Sequence, residues 1–239
     1  MISVIVPVHN EQENISTLVH EILSASNEAA ISEIIYVDDG STDETPVILD
    51  QLRNDIPSLR VIRHAKKSGQ SAAFMSGVRA AENGLIVLMD GDGQNNPEDI
   101  PKLVSMYETA PAKKAMVAGQ RKKRHDNLVR RISSRLANRI RSGILHDHIR
   151  DTGCSLKLIR REDYLRLPYF DHMHRFLPAL LMRDGVNILT VDVSHRPRER
   201  GVSKYGFWDR LWVGIVDLAG VRWLLSRGLP SQFKSQEIL

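Results

Sequence analysis

The sequence predicts an α/β fold, with a mostly parallel central sheet and helices on both faces. Three observations carry that expectation. Strand-length segments occur at 2–8, which alternates, at 34–37, at 59–62 and at 85–89, and the apolar runs 34–37 and 85–89 have the character of buried strands. Segments with helical spacing of apolar residues separate them, the alternation that builds parallel sheets. Three of the runs stop at polar clusters: Pro7 to Glu11, Asp38-Asp39, and Asp90 to Gln94. Ligands of open parallel sheets sit at the carboxyl ends of strands, so the three clusters are expected to share one crevice.

The first strand ends near Pro7, a residue that suits a strand end and not a central ladder position. Asn10 is placed to cap a helix over about 12–29. The second strand, 34–37, runs into Asp38-Asp39-Gly40, where Ser41 or Thr42 is expected to cap a helix with Val47, Ile48 and Leu52 on one face. After the third strand, Ser68-Gly69-Gln70-Ser71 opens a helix of small residues, and Gly77 continues its close-packing face. The fourth strand, 85–89, leads to Asp90, and Pro97 starts a helix reaching about Tyr107. A fifth strand is expected at 115–119, a loop feeding a strand at 151–159, helices near 161–167 and 176–183, and a last strand at 187–193.

Between these lies a strongly basic segment. Over about 127–142, Leu128, Ile132, Leu136 and Ile140 recur every four residues on an arginine-rich helix. Such a helix suits an anionic membrane surface or a docked position with solvated arginines. Loop 195–206 is crowded with cations and flexible residues, as a phosphate clamp or a lid is. A final helix at about 207–225 sets Trp208, Leu211, Trp212, Ile215, Ala219 and Trp223 on one side, with Asp209, Arg210 and Asp217 away from it. Tryptophans on one face suit a membrane interface or the domain's own core. The charged residues make the helix a poor membrane span, and no apolar run approaches the roughly 18–20 residues a span needs.

Bulk composition narrows the class. With 42% hydrophobic and 26% charged residues, the 239-residue chain can build a globular core, which argues against wholesale disorder. Cys154 is the one cysteine, so an internal disulfide is impossible and a reducing compartment fits. The first residues enter an apolar strand without the pattern of a signal peptide. The net charge of +4 is concentrated in the basic segment, yet aromatic platforms and groove-reading motifs are missing, so nucleic acid is not the expected partner. Gly-x-Gly-x-x-Gly does not follow the first strand and no Gly-Lys-Ser/Thr loop occurs, which ranks dinucleotide and P-loop folds low. His172 and His174 lie on no clear metal spacing and are expected in surface or packing roles.

Asp90-Gly91-Asp92-Gly93-Gln94 is the centre of the argument. Two carboxylates and an amide oxygen, brought together by a bend at the glycines, suit a hard divalent cation that also grips substrate phosphates. A solvated acidic turn is the commoner reading of an isolated Asp-x-Asp.

Val6-Pro7-Val8-His9-Asn10-Glu11, Val37-Asp38-Asp39-Gly40-Ser41-Thr42-Asp43 and Asp90-Gly91-Asp92-Gly93-Gln94 come in the order and approximate spacing of family-2 glycosyltransferases. Gln94 followed by Asn96-Pro97-Glu98, the segment Arg150-Asp151-Thr152-Gly153-Cys154, and Arg198 with Gly201, Ser203 and Lys204 resemble the polyprenyl-phosphate subgroup typified by dolichol-phosphate mannose synthase. The resemblance covers about residues 1–210. It implies a GT-A (Rossmann-like) glycosyltransferase fold, a nucleotide-sugar donor, a polyprenyl-phosphate acceptor and Mg²⁺ or Mn²⁺. By position, Pro7, Asn10, Glu11, Asp38, Asp39 and Gly69 would line the nucleoside pocket. Asp90 would sit near the nucleotide sugar, and Asp92 and Gln94 would ligate the cation. Arg121, Arg150, Cys154, Arg198, Ser203 and Lys204 would meet the acceptor phosphate or the diphosphate.

The implied organisation is a catalytic domain over 1–206 and a membrane-associated helix and tail over 207–239. The chain would sit peripherally on the cytoplasmic face of a membrane, directly or through a small membrane partner protein. A soluble saccharide acceptor, or a non-catalytic nucleotide-sugar scaffold, are the alternatives.

Overall fold

The computed structural model describes residues 1–110, 114–121, 141–145, 147, 149, 151–197 and 207–227, with the backbone alone for 207–213. One seven-stranded sheet organises them, in the order β3-β2-β1-β4-β6-β5-β7. Its strands are β1 (Ile2–Val8), β2 (Ile31–Asp38), β3 (Leu59–Arg63), β4 (Leu85–Leu88), β5 (Ala115–Arg121), β6 (Lys157–Arg160) and β7 (Asn187–Val193). β1 pairs in parallel with β2 and β4, β2 with β3, and β5 with β7. β6 alone runs the other way, antiparallel to both β4 and β5.

The helices are α1 (Ile15–Ala29), α2 (Thr45–Asp55), α3 (Gln70–Ala80), α4 (Ile100–Glu108), α5 (Arg161–Leu165), α6 (Leu177–Arg183) and α7 (Phe207–Ser226). Every residue of β1 is buried, as its central place requires. Its side chains alternate between two cores. Ile5, with Ile35 and Val37 of β2, faces a cluster containing Phe74, Leu177, Leu180 and Val221. Val4 and Val6, with Ile34 and Tyr36, face one containing Leu18, Ile22 and Leu103. Each such Val or Ile, fully withdrawn from water, stabilises the fold by about 1.5–3 kcal/mol. Gly77 lets α3 lie against the sheet, because a Cβ there would stand 2.3 Å from Ile5 Cγ2.

Helix starts depart from the sequence expectation. α1 begins at Ile15 behind Asn14, and Asn10 instead takes a left-handed conformation at φ 56°. α2 begins at Thr45 behind Glu44, so Ser41 and Thr42 do not cap it. Pro97 opens a single 3-10 turn, Pro97–Asp99, before α4. Of the basic stretch 127–142, residues 127–140 lie outside the described residues.

α7 packs against α6, with Leu218, Val221, Leu224 and Leu225 turned to the core. Asp217 shares that inner side and meets His172 Nδ1 at 3.1 Å. Ile215, Val216 and Trp223 are exposed, Trp223 to 60%, so the domain's own core does not cover that face. Among the described residues no helix is long and apolar enough to cross a membrane.

Candidate active site

The parallel order β2-β1-β4 brings the three polar clusters to one edge of the sheet, as the sequence predicts. The reversed β6 adds a fourth contributor. Because Leu88 pairs with Lys157, the amino end of β6 lies beside the carboxyl end of β4. Residues 151–156, which precede β6, therefore enter the same cleft.

The loops after β1 and β2 are stitched together. Asn10 donates its backbone N–H to Ser41 Oγ (2.9 Å) and its side-chain amide to Thr42 Oγ1 (3.3 Å), while Asn10 Oδ1 accepts from Thr42 N (2.8 Å). Glu11 donates its N–H to Thr45 Oγ1 at 3.0 Å and accepts the Asn14 amide at 2.7 Å. Both residues serve the loop pair, which explains why Asn10 does not cap a helix.

Asp38 and Asp39 lie at the cleft, buried and engaged. Asp38 accepts from Ser41 N (2.9 Å) and Arg63 Nε (3.1 Å). Asp39 Oδ1 meets His64 Nδ1 (2.7 Å) and accepts Ser68 N–H (2.8 Å), while Oδ2 accepts Gly69 N–H (2.8 Å). Gly69 holds φ +95°, which a side chain would strain, and its N–H is thereby aimed at Asp39. Pro7 is buried in β1 between these loops and Gly91.

At the end of β4, Gly91 fits because a Cβ there would lie 2.4 Å from Val8 Cγ1 and 3.0 Å from the Pro7 carbonyl. Asp90 Oδ1 accepts the Gln70 side-chain amide at 2.5 Å, and its backbone N–H reaches Ser155 Oγ at 3.2 Å. Burial first, and the Asp92 charge second, push the Asp90 carboxyl up to about 6. Asp92 Oδ1 accepts the Gln94 backbone N–H at 3.1 Å, and both residues are half-buried. Among the described residues no group of three or more His, Cys, Asp and Glu could hold a metal by itself. One carboxylate and one amide oxygen still fit Mg²⁺ or Mn²⁺, since such ions bind through one or two protein oxygens and complete their shell with phosphates and water.

Arg121, at the end of β5, turns its guanidinium onto Asp151 in a two-pronged pair, Nε to Oδ2 and Nη2 to Oδ1 at 2.6 Å each. Such a fork is rigid and oriented. Lys157 was not among the expected site residues, yet it is buried at 3% exposure and donates to the Cys154 carbonyl. Burial pulls its pKa down, while Cys154, Asp90 and Asp151 pull it back up. Its sequence signal was a lysine inside the apolar run Leu156-Lys157-Leu158-Ile159. Gln70, Asn95 and Ser155 gave no comparable signal.

Cys154 departs from its expected place among the phosphate ligands. Its side chain is 2% exposed and faces the Asn95 amide oxygen, with burial raising the thiol pKa. It forms wall, not contact surface. Arg150, Arg198, Ser203 and Lys204 lie outside the described residues.

A sequence profile described as Glycosyl transferase family 2 matches residues 3–167. The chain belongs to that family. The dodecaprenyl-phosphate galacturonate synthase of Rhizobium johnstonii is 36% identical over 238 residues, covering 97% of this glycosyltransferase and 70% of the relative. The undecaprenyl-phosphate 4-deoxy-4-formamido-L-arabinose transferase of Pectobacterium carotovorum subsp. carotovorum is 32% identical over 209 residues, 86% of this chain and 63% of the relative. The chain thus spans less than two thirds of the latter's length. Glucosyl-3-phosphoglycerate synthase from Mycobacterium tuberculosis, in complex with Mn²⁺, UDP-glucose and phosphoglyceric acid, superposes with a TM-score of 0.69 at 19% identity. That match covers 97% of this glycosyltransferase and 81% of the other chain, and it establishes the GT-A fold.

Proposed function

We propose that the chain transfers a sugar from a nucleotide-sugar to a polyprenyl phosphate, dolichyl or undecaprenyl, with inversion at the anomeric carbon. The observation that carries this reading is the half-buried Asp92–Gln94 turn at the end of β4, with β6 between it and the β5 strand whose Arg121 forms the fork with Asp151. The names of the two relatives support the acceptor class.

The chemistry follows from charge. A phosphate monoester has a second pKa of roughly 6, so at neutral pH the acceptor is already a nucleophile and needs orientation more than deprotonation. Arg121, its fork set by Asp151, suits that task. Arg150, Arg198, Ser203 and Lys204 complete the phosphate-binding set in this reading. The departing nucleoside diphosphate carries the difficult charge, which a divalent cation at Asp92 and Gln94 neutralises when bound. Asp90, held by Gln70, faces the sugar end of the donor as a carboxylate. Pro7, Asn10, Glu11 and Gly69 line the nucleoside pocket, with Asp38 and Asp39 as its floor.

Residues 1–206 form the catalytic domain in this proposal, and 207–239 attach it to a membrane surface. The outward Ile215, Val216 and Trp223, flanked by exposed Arg222 and by Arg227 stacked 5.9 Å from the Trp223 ring, have the chemistry of an anionic interface. Attachment is peripheral, direct or through a small membrane partner. The lone buried cysteine suits a cytoplasmic face.

The test is a thermal-shift panel of GDP- and UDP-sugars with and without Mn²⁺, followed by transfer to undecaprenyl phosphate in micelles. A metal-dependent rise with one nucleotide and a lipid-linked product are expected. Transfer to a soluble saccharide alone would replace the acceptor, and no response to any nucleotide would remove the donor site.

A further inference from the structure

Beyond β7 the chain turns back across the loop that follows β4. Ser194 donates its backbone N–H (2.7 Å) and its hydroxyl (2.6 Å) to Asp99 Oδ2, a residue 1% exposed. His195 forms an antiparallel bridge with Asn95. Arg196 donates its backbone N–H to the Gln94 carbonyl at 3.0 Å. Its guanidinium then spans two elements. Nη1 reaches both carboxylate oxygens of Glu21 on α1, at 2.7 and 2.9 Å, and Nη2 reaches Asn96 Oδ1 at 2.7 Å.

These contacts frame a turn that has little to hold it from within. Between Asp92 and Gln94 the internal bond is Asp92 Oδ1 accepting from Gln94 N, and Gly93 sits at φ +74°. On the other side, the Asn95 amide donates to Ser155 Oγ at 2.8 Å, the same oxygen that takes the Asp90 N–H. The shape of the turn is therefore set by its fastenings: Ser155 on one flank and Arg196 on the other. Arg196 is the fastening that ties the turn to α1, an element that contributes no expected ligand.

We propose that Arg196 is a positioning residue for the divalent cation. By pinning Gln94 to Asn96 against Glu21, it holds Asp92 and Gln94 in the arrangement that grips a cation carrying a nucleoside diphosphate. The inference rests on the reading of the Asp92–Gln94 turn given above. The Arg196 guanidinium is committed to Glu21 and Asn96, so it acts through the turn and does not meet the ligand. Partners behind metal ligands commonly contribute 10- to 100-fold to affinity.

The experiment is a Mn²⁺ titration of the full chain followed by electron paramagnetic resonance of the free ion. UDP and GDP are used in turn at saturation, and thermal melts run in parallel. Arg196→Ala is expected to raise the Mn²⁺ half-saturation on the order of tenfold, with Arg196→Lys recovering part of the loss. Glu21→Gln, which keeps a hydrogen-bonding partner but removes the charge, is expected to fall between and carries the test should Arg196→Ala not fold. Wild-type binding that Arg196→Ala and Glu21→Gln leave unchanged overturns the inference alone. A loss matched by a collapsed melt and not rescued by lysine also overturns it, in favour of a fold-level role. No Mn²⁺ uptake by the wild type with either nucleotide overturns the cation-site reading, and the inference falls with it.

Discussion

Two acidic pairs close the parallel strands β2 and β4, which flank β1 in this glycosyltransferase, and the fold treats them oppositely. Asp38 and Asp39 are surrounded by donors from their own chain: Ser41, Arg63, His64, Ser68 and Gly69. Asp90 receives the Gln70 amide and the Ser155 hydroxyl, with the Lys157 charge nearby, and Asp92 receives the Gln94 N–H. The first pair organises loops, and the second, in the proposed reading, is the one that meets the donor and its cation. An acidic cluster at a strand end is thus read from the donors around it, not from its own charge. A carboxylate already saturated by backbone N–H groups gains little from a ligand, whereas one with an uncommitted oxygen in a low-dielectric cleft gains much.

Exchanging the consequences of the two pairs would break this contrast. The largest expected effect is in Asp92→Ala, which should lower metal-dependent turnover by about 10²–10³-fold or more while leaving the thermal midpoint nearly unchanged. Full activity would remove the cation role, and a large loss of stability would move Asp92 to the scaffold class. Next comes Asp39→Ala, which strands His64 and the N–H groups of Ser68 and Gly69. It should cost about 3 kcal/mol in denaturant unfolding, with donor binding lost as a consequence of the loop. An unchanged midpoint with donor binding abolished would show that Asp39 reads the nucleoside directly.

The smallest effect sharpens the contrast at the turn between the pairs. The first turn of α3 supplies Gln70 to Asp90, and Ser71 beside it meets half-buried His174 Nδ1 at 2.7 Å. Burial, aided by the charges of Arg175 and Lys157, keeps His174 neutral well below its ordinary range. The unfolded chain takes up a proton near pH 6.5 and the folded chain does not, so this contribution to stability is present above about 6.5 and is lost as pH falls below it. His174→Gln should flatten that part of the pH dependence, by at most about 1.4 kcal/mol per pH unit, in unfolding curves compared between pH 5 and 7. Parallel curves would show that another group carries it.

The strands and their order along the chain were legible because runs such as Val4-Ile5-Val6 and Ile34-Ile35-Tyr36-Val37 carry length and burial on their face. The three clusters met as expected because carboxyl ends of parallel strands share an edge. The reversal of β6 was not legible, since Leu158 and Ile159 record burial and carry no sign of direction. Asn10, Ser41 and Thr42 look like helix caps in isolation. They pair with one another across two loops that only the sheet brings together. The burial of Lys157 was not legible because a strand lysine is ordinarily exposed, while here it is turned inward onto the Cys154 carbonyl with Asp90 and Asp151 nearby. Of the α7 face read on the wheel, Ile215, Ala219 and Trp223 are exposed, but whether the core would cover them depended on α6.

The antiparallel β6 also sets a schedule. β1, β2, β3 and β4 leave the ribosome as a nearly local parallel unit, but the free edge of β4 has no partner until Arg160 has been made. At typical synthesis rates that interval is on the order of several to ten seconds, during which an apolar strand edge stands open. Until β6 arrives, the half of the cleft that holds Asp90 lacks Ser155, and the turn at Asp92 lacks one of its fastenings. The nascent chain can therefore be folded across its amino-terminal half and still have no site. Chaperone dependence and slow maturation of activity should be sought in that window.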